Sequence, residues 1–237
     1  MLVDRHRRRA MELCAELGLL KVIAPELYPS GGRQPPECGP DSETPTESEN
    51  ARIQGADAPR SVAALEWLEN PAFELAFATL VHELPANNVE TLCRQLKLSN
   101  HELDHITWLV AHRDDLLAAP TMSLAQLKRL LAHRCRDDLV RMSHARMLAA
   151  DQKFRSRMFH PILFTEEFLS RTPREVLDPP PLISGAELIQ LGLRPGPRFK
   201  ELLDAVRDAQ LNLEIVTREE ALALVRQLQV GSGDGTP

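Results

Sequence analysis

Any catalysis by this chain would have to come from its histidines and carboxylates, and their spacing limits what that chemistry is. His101 and His105 stand one helical turn apart, the separation at which two imidazoles share a metal ion, and His112 extends the series loosely. The residues between the first two are Glu102, Leu103 and Asp104, no glutamate base of the HExxH kind is read among them, and the partner positions face water. Surface or core histidines are therefore expected here, and no metal site is assigned. Two adjacent acid pairs, Asp114-Asp115 and Asp137-Asp138, fall in helical contexts. Helix neighbours point about 100° apart, so neither pair can grip one ion as alternate strand residues can. Ser30-Gly31-Gly32-Arg33 has the composition of a phosphate-binding loop but no flanking strand and helix, and reads as a linker. Cys14, Cys38, Cys93 and Cys135 are far apart without a CxxC pair, which implies neither a zinc site nor a disulfide framework. No catalytic residue is assigned on these grounds.

Basic residues give the sharper signal. The chain is acidic overall, at net −6. Yet from Ser123 to His160, Lys128, Arg129, Arg134, Arg136, Arg141, Arg146, Lys153, Arg155 and Arg157 outnumber Asp137, Asp138 and Asp151. A local positive field is what binding to a phosphate backbone requires, because each neutralised phosphate releases counterions. The solvated face of an amphipathic helix is the competing explanation. Lys128, Arg129 and Arg134 are the nucleic-acid contacts expected in this run. Arg194, Arg198 and Lys200 are three more, surrounding a hinge and a helix start whose backbone N–H groups can meet a phosphate.

The elements that must position these residues are helices. Ser184 with Glu187, and Thr217 with Glu220, have the spacing of capping boxes, in which hydroxyl and carboxylate satisfy orphan N–H groups at a helix start. Gly192 can close the first of these helices in the left-handed conformation, and Pro195-Gly196-Pro197 then turns the chain. Phe199, Leu202, Leu203, Val206 and Ala209 form one apolar stripe, and Ala221, Leu222, Leu224, Val225 and Leu228 form the inner face of a last helix. Upstream, short apolar helices are expected over 62–68 and 73–81, broken at Pro71, and another over 89–96. Ser99 and Glu102 cap a helix carrying Leu103, Ile106, Leu109 and Val110, and Ser123 with Gln126 caps one carrying Leu124, Leu127, Leu130 and Leu131. No convincing strand is present.

Pro29 to Arg60 carries repeated Pro, Gly, Ser and acidic residues with almost no apolar periodicity, and reads as a disordered insertion. Pro179-Pro180-Pro181 reads as an extended spacer and Gly231 to Pro237 as a frayed end. The expected organisation is an all-α chain with a multi-helix body at 61–178 and a small helical tail at 179–230. Residues 1–28 form a preceding helical segment, 29–60 the insertion and 231–237 the loose end. A hydrophobic share of 43% fits a soluble globular protein, and one Tyr, two Trp and seven Phe argue against stacking platforms for single-stranded bases. No apolar run is long enough to span a membrane, and no signal-peptide core follows Arg5 to Arg9, so a cytoplasmic location without membrane contact is expected.

The ordering from Leu182 to Gln227, with its Leu191-Gly192-Leu193, Pro195-Gly196-Pro197 hinge, resembles the C-terminal tail of the bacterial CCA-adding tRNA nucleotidyltransferase and poly(A) polymerase family. Arg7 to Leu27 is similar to the end of that family's neck, and Ala76 to Leu131 to its helical body, a degenerate relative of a metal phosphohydrolase fold. The resemblance implies RNA, and specifically tRNA, as partner, with body and tail gripping the acceptor arm by shape. It also implies that the parent enzyme uses magnesium with CTP and ATP. In that family paired carboxylates on a strand of a head domain hold the magnesium ions. No such pair occurs here, so the expectation is a neck end, body and tail without a head, inactive alone and served by a separate catalytic head subunit if any. A stand-alone helical RNA-binding or scaffold module is the alternative. A phosphohydrolase body is a third reading. It is weakened by His82-Glu83, which stands where family members often carry His-Asp.

Overall fold

A computed structural model describes residues 2–17, 19, 60–190, 192–193 and 195–230. Every regular element among the described residues is a helix, so the chain is all-α as its periodicity predicts. Except for Arg60, the insertion expected at 29–60 lies outside the described residues, as does the end expected at 231–237. The chain divides into two compact units: Met1–Leu117 with Asp137–Ile162, and Ala118–Arg136 with Leu163–Pro237.

The first unit is built around α3 (Phe73–Val81), whose residues are buried without a break from Leu75 to Val81. A helix apolar on every side belongs in an interior, and α5 (Asn100–Ala111) packs against it and against α4 (Ala86–Gln95). The buried residues of α5 are Leu103, Ile106, Leu109 and Val110, the predicted face. The segment expected as one helix over 62–68 is α2 (Arg60–Ala64) running into a 3₁₀ turn at Leu65–Trp67. Polar contacts clamp α1 (Arg7–Glu16) onto that turn. The Arg7 guanidinium, 5% exposed, donates to the carbonyls of Leu65 and Leu68 and to that of Asp4. Two long helices follow, α7 (Arg136–Ala149) and α8 (Gln152–Arg171), the latter with Pro161 in its interior. Met147, Met158 and Ile162 bring them together over Leu117, Leu148 and Phe154.

The second unit pairs α6 (Leu124–Ala132) with α11 (Pro197–Leu211) and adds α9 (Arg174–Leu177), α10 (Gly185–Gln190) and α12 (Arg218–Val230). Its core is Ile183, Leu188, Leu202, Val206, Ala209, Ile215, Ala221 and Val225, with Phe199, Leu203, Leu222, Leu224 and Leu228 against it. The tail stripes read from the sequence thus meet one another. Gly192 sits at φ +84°, and the amides of Gly192 and Leu193 reach back to the carbonyls of Ile189 and Leu188, the paired bonds of a Schellman closure. Lys97 and Leu213 close α4 and α11 in the same way at φ 56° and 64°. The proline run 179–181 is non-helical and is held by hydrogen bonds to α11. Arg207 on α11 donates to the Pro179 carbonyl at 2.6 Å and Gln210 to that of Pro180 at 2.8 Å.

Candidate functional site

The basic residues proposed as nucleic-acid contacts occupy different environments. Lys128 is only 2% exposed on the face of α6 that carries Leu131. Burial, with the charge of Arg207 second, holds its ammonium below the usual lysine range. Arg129 is exposed but bridged within its unit, its Nε 2.7 Å from the Asp208 carboxylate and its Nη2 donating to the Asp204 carbonyl. Arg198 donates to the Leu228 carbonyl near the end of α12, where a cation is favoured, and faces Glu201 at 3.5 Å. Arg134 and Lys200 are exposed. Arg194 lies outside the described residues. Of the remaining basic run, Arg141 pairs with Asp138 and Arg146 with Asp114, while Lys153 and Arg157 are exposed.

Letter by letter, His101-Glu102-Leu103-Asp104-His105 has the HExxH spacing of zinc peptidases, which the sequence expectation set aside. The structure shows what these residues do instead. Glu102 completes the capping box of α5, accepting from the Ser99 amide at 2.8 Å and hydroxyl at 2.7 Å. These bonds hold its carboxyl below the usual range. His105 Nε2 lies 3.1 Å from the Asp138 carboxylate but out of line for a hydrogen bond. His112 Nδ1 meets Asp115 at 2.6 Å. No group of three metal-ligating side chains converges among the described residues. Both acid pairs are likewise drawn into local partnerships, Asp114 with Arg146 and Asp138 with Arg141.

His82 and Glu83 line a cavity. It measures about 250 Å³ and lies within the first unit, walled by Ala64, His82, Glu83, Arg113, Arg146, Ala149, Ala150 and Phe154. His82 is 7% exposed, and its Nδ1 stands 2.7 Å from the Thr79 carbonyl, an acceptor only. Nδ1 therefore carries the proton and Nε2 the lone pair. Burial first, then the charge of Arg146, lowers the ring's pKa to about 4, so it is neutral at physiological pH. Arg146, 8% exposed, donates to Asp114 at 2.8 Å and to the Arg113 carbonyl, and its guanidinium lies 5.8 Å from the centre of the Phe154 ring. Its Nε is buried without a hydrogen-bond partner among the described residues. A buried unpaired donor costs about 1–3 kcal/mol, more for a charged group. Sequence spacing could not assemble this wall, because its two arginines come from segments that meet only in the fold.

No known family profile matches the chain, and no solved structure matches it. Among curated proteins it is similar to the A-adding tRNA nucleotidyltransferase of Deinococcus radiodurans, at 37% identity over 109 residues. The matched region is 44% of this chain and 25% of that protein, so the chain spans about a quarter of its relative's length.

Proposed function

We propose that this chain is an RNA-holding helical portion of a tRNA nucleotidyltransferase system, gripping tRNA while catalytic carboxylates outside the described helices add nucleotides to its 3′ end. The observation that carries this reading is the similarity over 109 residues to the A-adding enzyme. The all-α architecture and the cap, hinge and stripe pattern of the tail are consistent with it. In this reading residues 1–28 are the end of a neck, 61–178 a body and 179–230 an RNA-binding tail. The exposed cations Arg134 and Lys200 are the first phosphate contacts to test, since among the described residues no ion pair or hydrogen bond engages either side chain. Magnesium with CTP or ATP would serve the nucleotide-adding partner.

Purified chain, titrated with a tRNA lacking its 3′ CCA across a salt series in the presence of CTP, ATP and magnesium, tests the proposal. Salt-sensitive binding without extension is the expected result. Replacing Arg134 and Lys200 each by Gln is expected to reduce the slope of log K against log salt by about 1 per residue. Absence of binding would overturn the RNA reading, and extension would overturn the assignment of catalysis elsewhere.

A further inference from the structure

One side of α1 is fastened to its unit and the other is apolar and exposed. Arg7 and Met11 point inward, at 5% and 2% exposure, and the Arg7 guanidinium holds the Leu65 and Leu68 carbonyls. At about 100° per residue, Leu13 and Leu17 fall on the opposite side, and they are 40% and 72% exposed. With half-buried Ala10 they follow the spacing of three and four by which one helix lines up a seam against another. Charge is segregated along the same helix. Its sequence runs from Arg7-Arg8-Arg9 to Glu12 and Glu16, with no acidic residue in the first turn and no basic one in the last. That order opposes the helix dipole, which favours acids at the start and bases at the end. A solitary surface helix gains nothing from it. The partner that suits both features is a copy of the same helix running the other way, which brings apolar stripe to stripe and basic end to acidic end.

We propose that α1 is a self-association surface, on which two copies of the chain pair their α1 helices antiparallel about a two-fold axis near Leu13, with Leu13 and Leu17 of each copy packed against those of the other. In this arrangement the arginine end of each helix lies beside the acidic end of its partner, and the two dipoles run in opposite directions. A parallel pair would set arginines against arginines. The contact is isologous, so it closes at two copies and leaves no half-used surface from which a filament could grow. With 10 residues, α1 is about 15 Å long. The interface therefore belongs to the small, reversible class, with a Kd on the order of 10–100 µM. The inference is independent of the RNA reading, since Arg134 and Lys200 belong to the other unit.

Sedimentation equilibrium of the full chain between about 1 and 500 µM tests it, and a monomer–dimer equilibrium is expected. Leu13→Glu and Leu17→Glu are each expected to weaken the dimer about tenfold or more, because each sets a charge in the apolar seam. Val216→Glu, at an exposed position of the second unit, is expected to leave it unchanged. Arg9→Gln reads the direction of pairing. It is expected to weaken the dimer about threefold, whereas tightening would mean that arginines face one another and would overturn the antiparallel arrangement. Melting temperatures taken at concentrations where the chain is monomeric are expected to be the same for the wild type and both leucine variants. A chain that stays monomeric throughout would overturn the proposal. A lower melting temperature for the leucine variants would then mean that the stripe is covered from within the chain, and an unchanged one that it serves a different protein.

Discussion

His82 shows how one buried residue sets the chain's response to acid. Its folded pKa of about 4 lies below the 6.5 of the free side chain, because burial and Arg146 both disfavour the imidazolium. Above pH 6.5 the ring is neutral folded and unfolded, and stability does not depend on it. As pH falls from 6.5 toward 4 the unfolded chain binds a proton that the folded chain refuses, so stability declines. The full shift is worth on the order of 3 kcal/mol. The carboxyls that cap helices, Glu102, Glu187 and Glu220, are held below the ordinary 4.5 and add their losses only at lower pH. Urea midpoints measured between pH 7 and 4.5 are expected to fall for the wild type and to flatten for His82→Gln. An unchanged slope in the variant would remove His82 as the cause. The His82-Glu83 pair was visible in the sequence through the family resemblance, but the arginines that lower its pKa were not, since Arg113 and Arg146 are far apart along the chain.

Helix ends carry the most legible information in this chain. The predicted boxes at Ser99 and Ser123 are complete, and Glu220 accepts from the amides of Val216 and Thr217 while Thr217 Oγ1 accepts from the Glu220 amide. At Ser184 only half of the box forms. Glu187 takes the Ser184 amide at 2.6 Å, but the serine hydroxyl faces the carboxylate, and the Glu187 amide bonds the Ser184 carbonyl instead. Thr217→Ala is therefore expected to cost about 1 kcal/mol in thermal or chemical unfolding, and Ser184→Ala less. The C-terminal closures give a pair of opposite signs. Gly192→Ala forces a Cβ into φ +84° and is expected to destabilise by about 1 kcal/mol. Leu213→Gly, at an exposed position with φ 64°, is expected to stabilise by up to about 1 kcal/mol. Only the glycine closure could be read in advance, because lysine and leucine carry no local signal for the left-handed region that their helices impose. The sequence expectation assigns no helix span where α7 and α8 stand. Pro161 lies inside a helix, and α7 buries Ser143 and Arg146 beside its apolar residues, which blurs the period.

At the scale of the molecule the question is how charge is spent. The run from Ser123 to His160 looks like a phosphate-binding field when counted along the chain, but the fold divides it. Arg129, Arg141 and Arg146 are drawn to Asp208, Asp138 and Asp114, and Lys128 is buried in the wall of α6. Arg129 ties α6 to α11, so Arg129→Gln is expected to lower stability by about 0.5–1 kcal/mol, the range for an exposed pair. A double-mutant cycle with Asp208→Asn measures the coupling, and a coupling of zero would mean the bridge is incidental.

The sequence by itself determined the helical class, the helix starts after Ser99, Ser123, Ser184 and Thr217, the tail's apolar stripes and the glycine closure at Gly192. These follow from short-range physics: periodicity, caps and the conformational freedom of glycine. Only the tertiary structure decided which cations are buried, bridged or exposed, and only it brought His82, Arg113 and Arg146 to one cavity. Those outcomes depend on which helix packs against which, and that pairing is set by contacts between residues far apart in the chain.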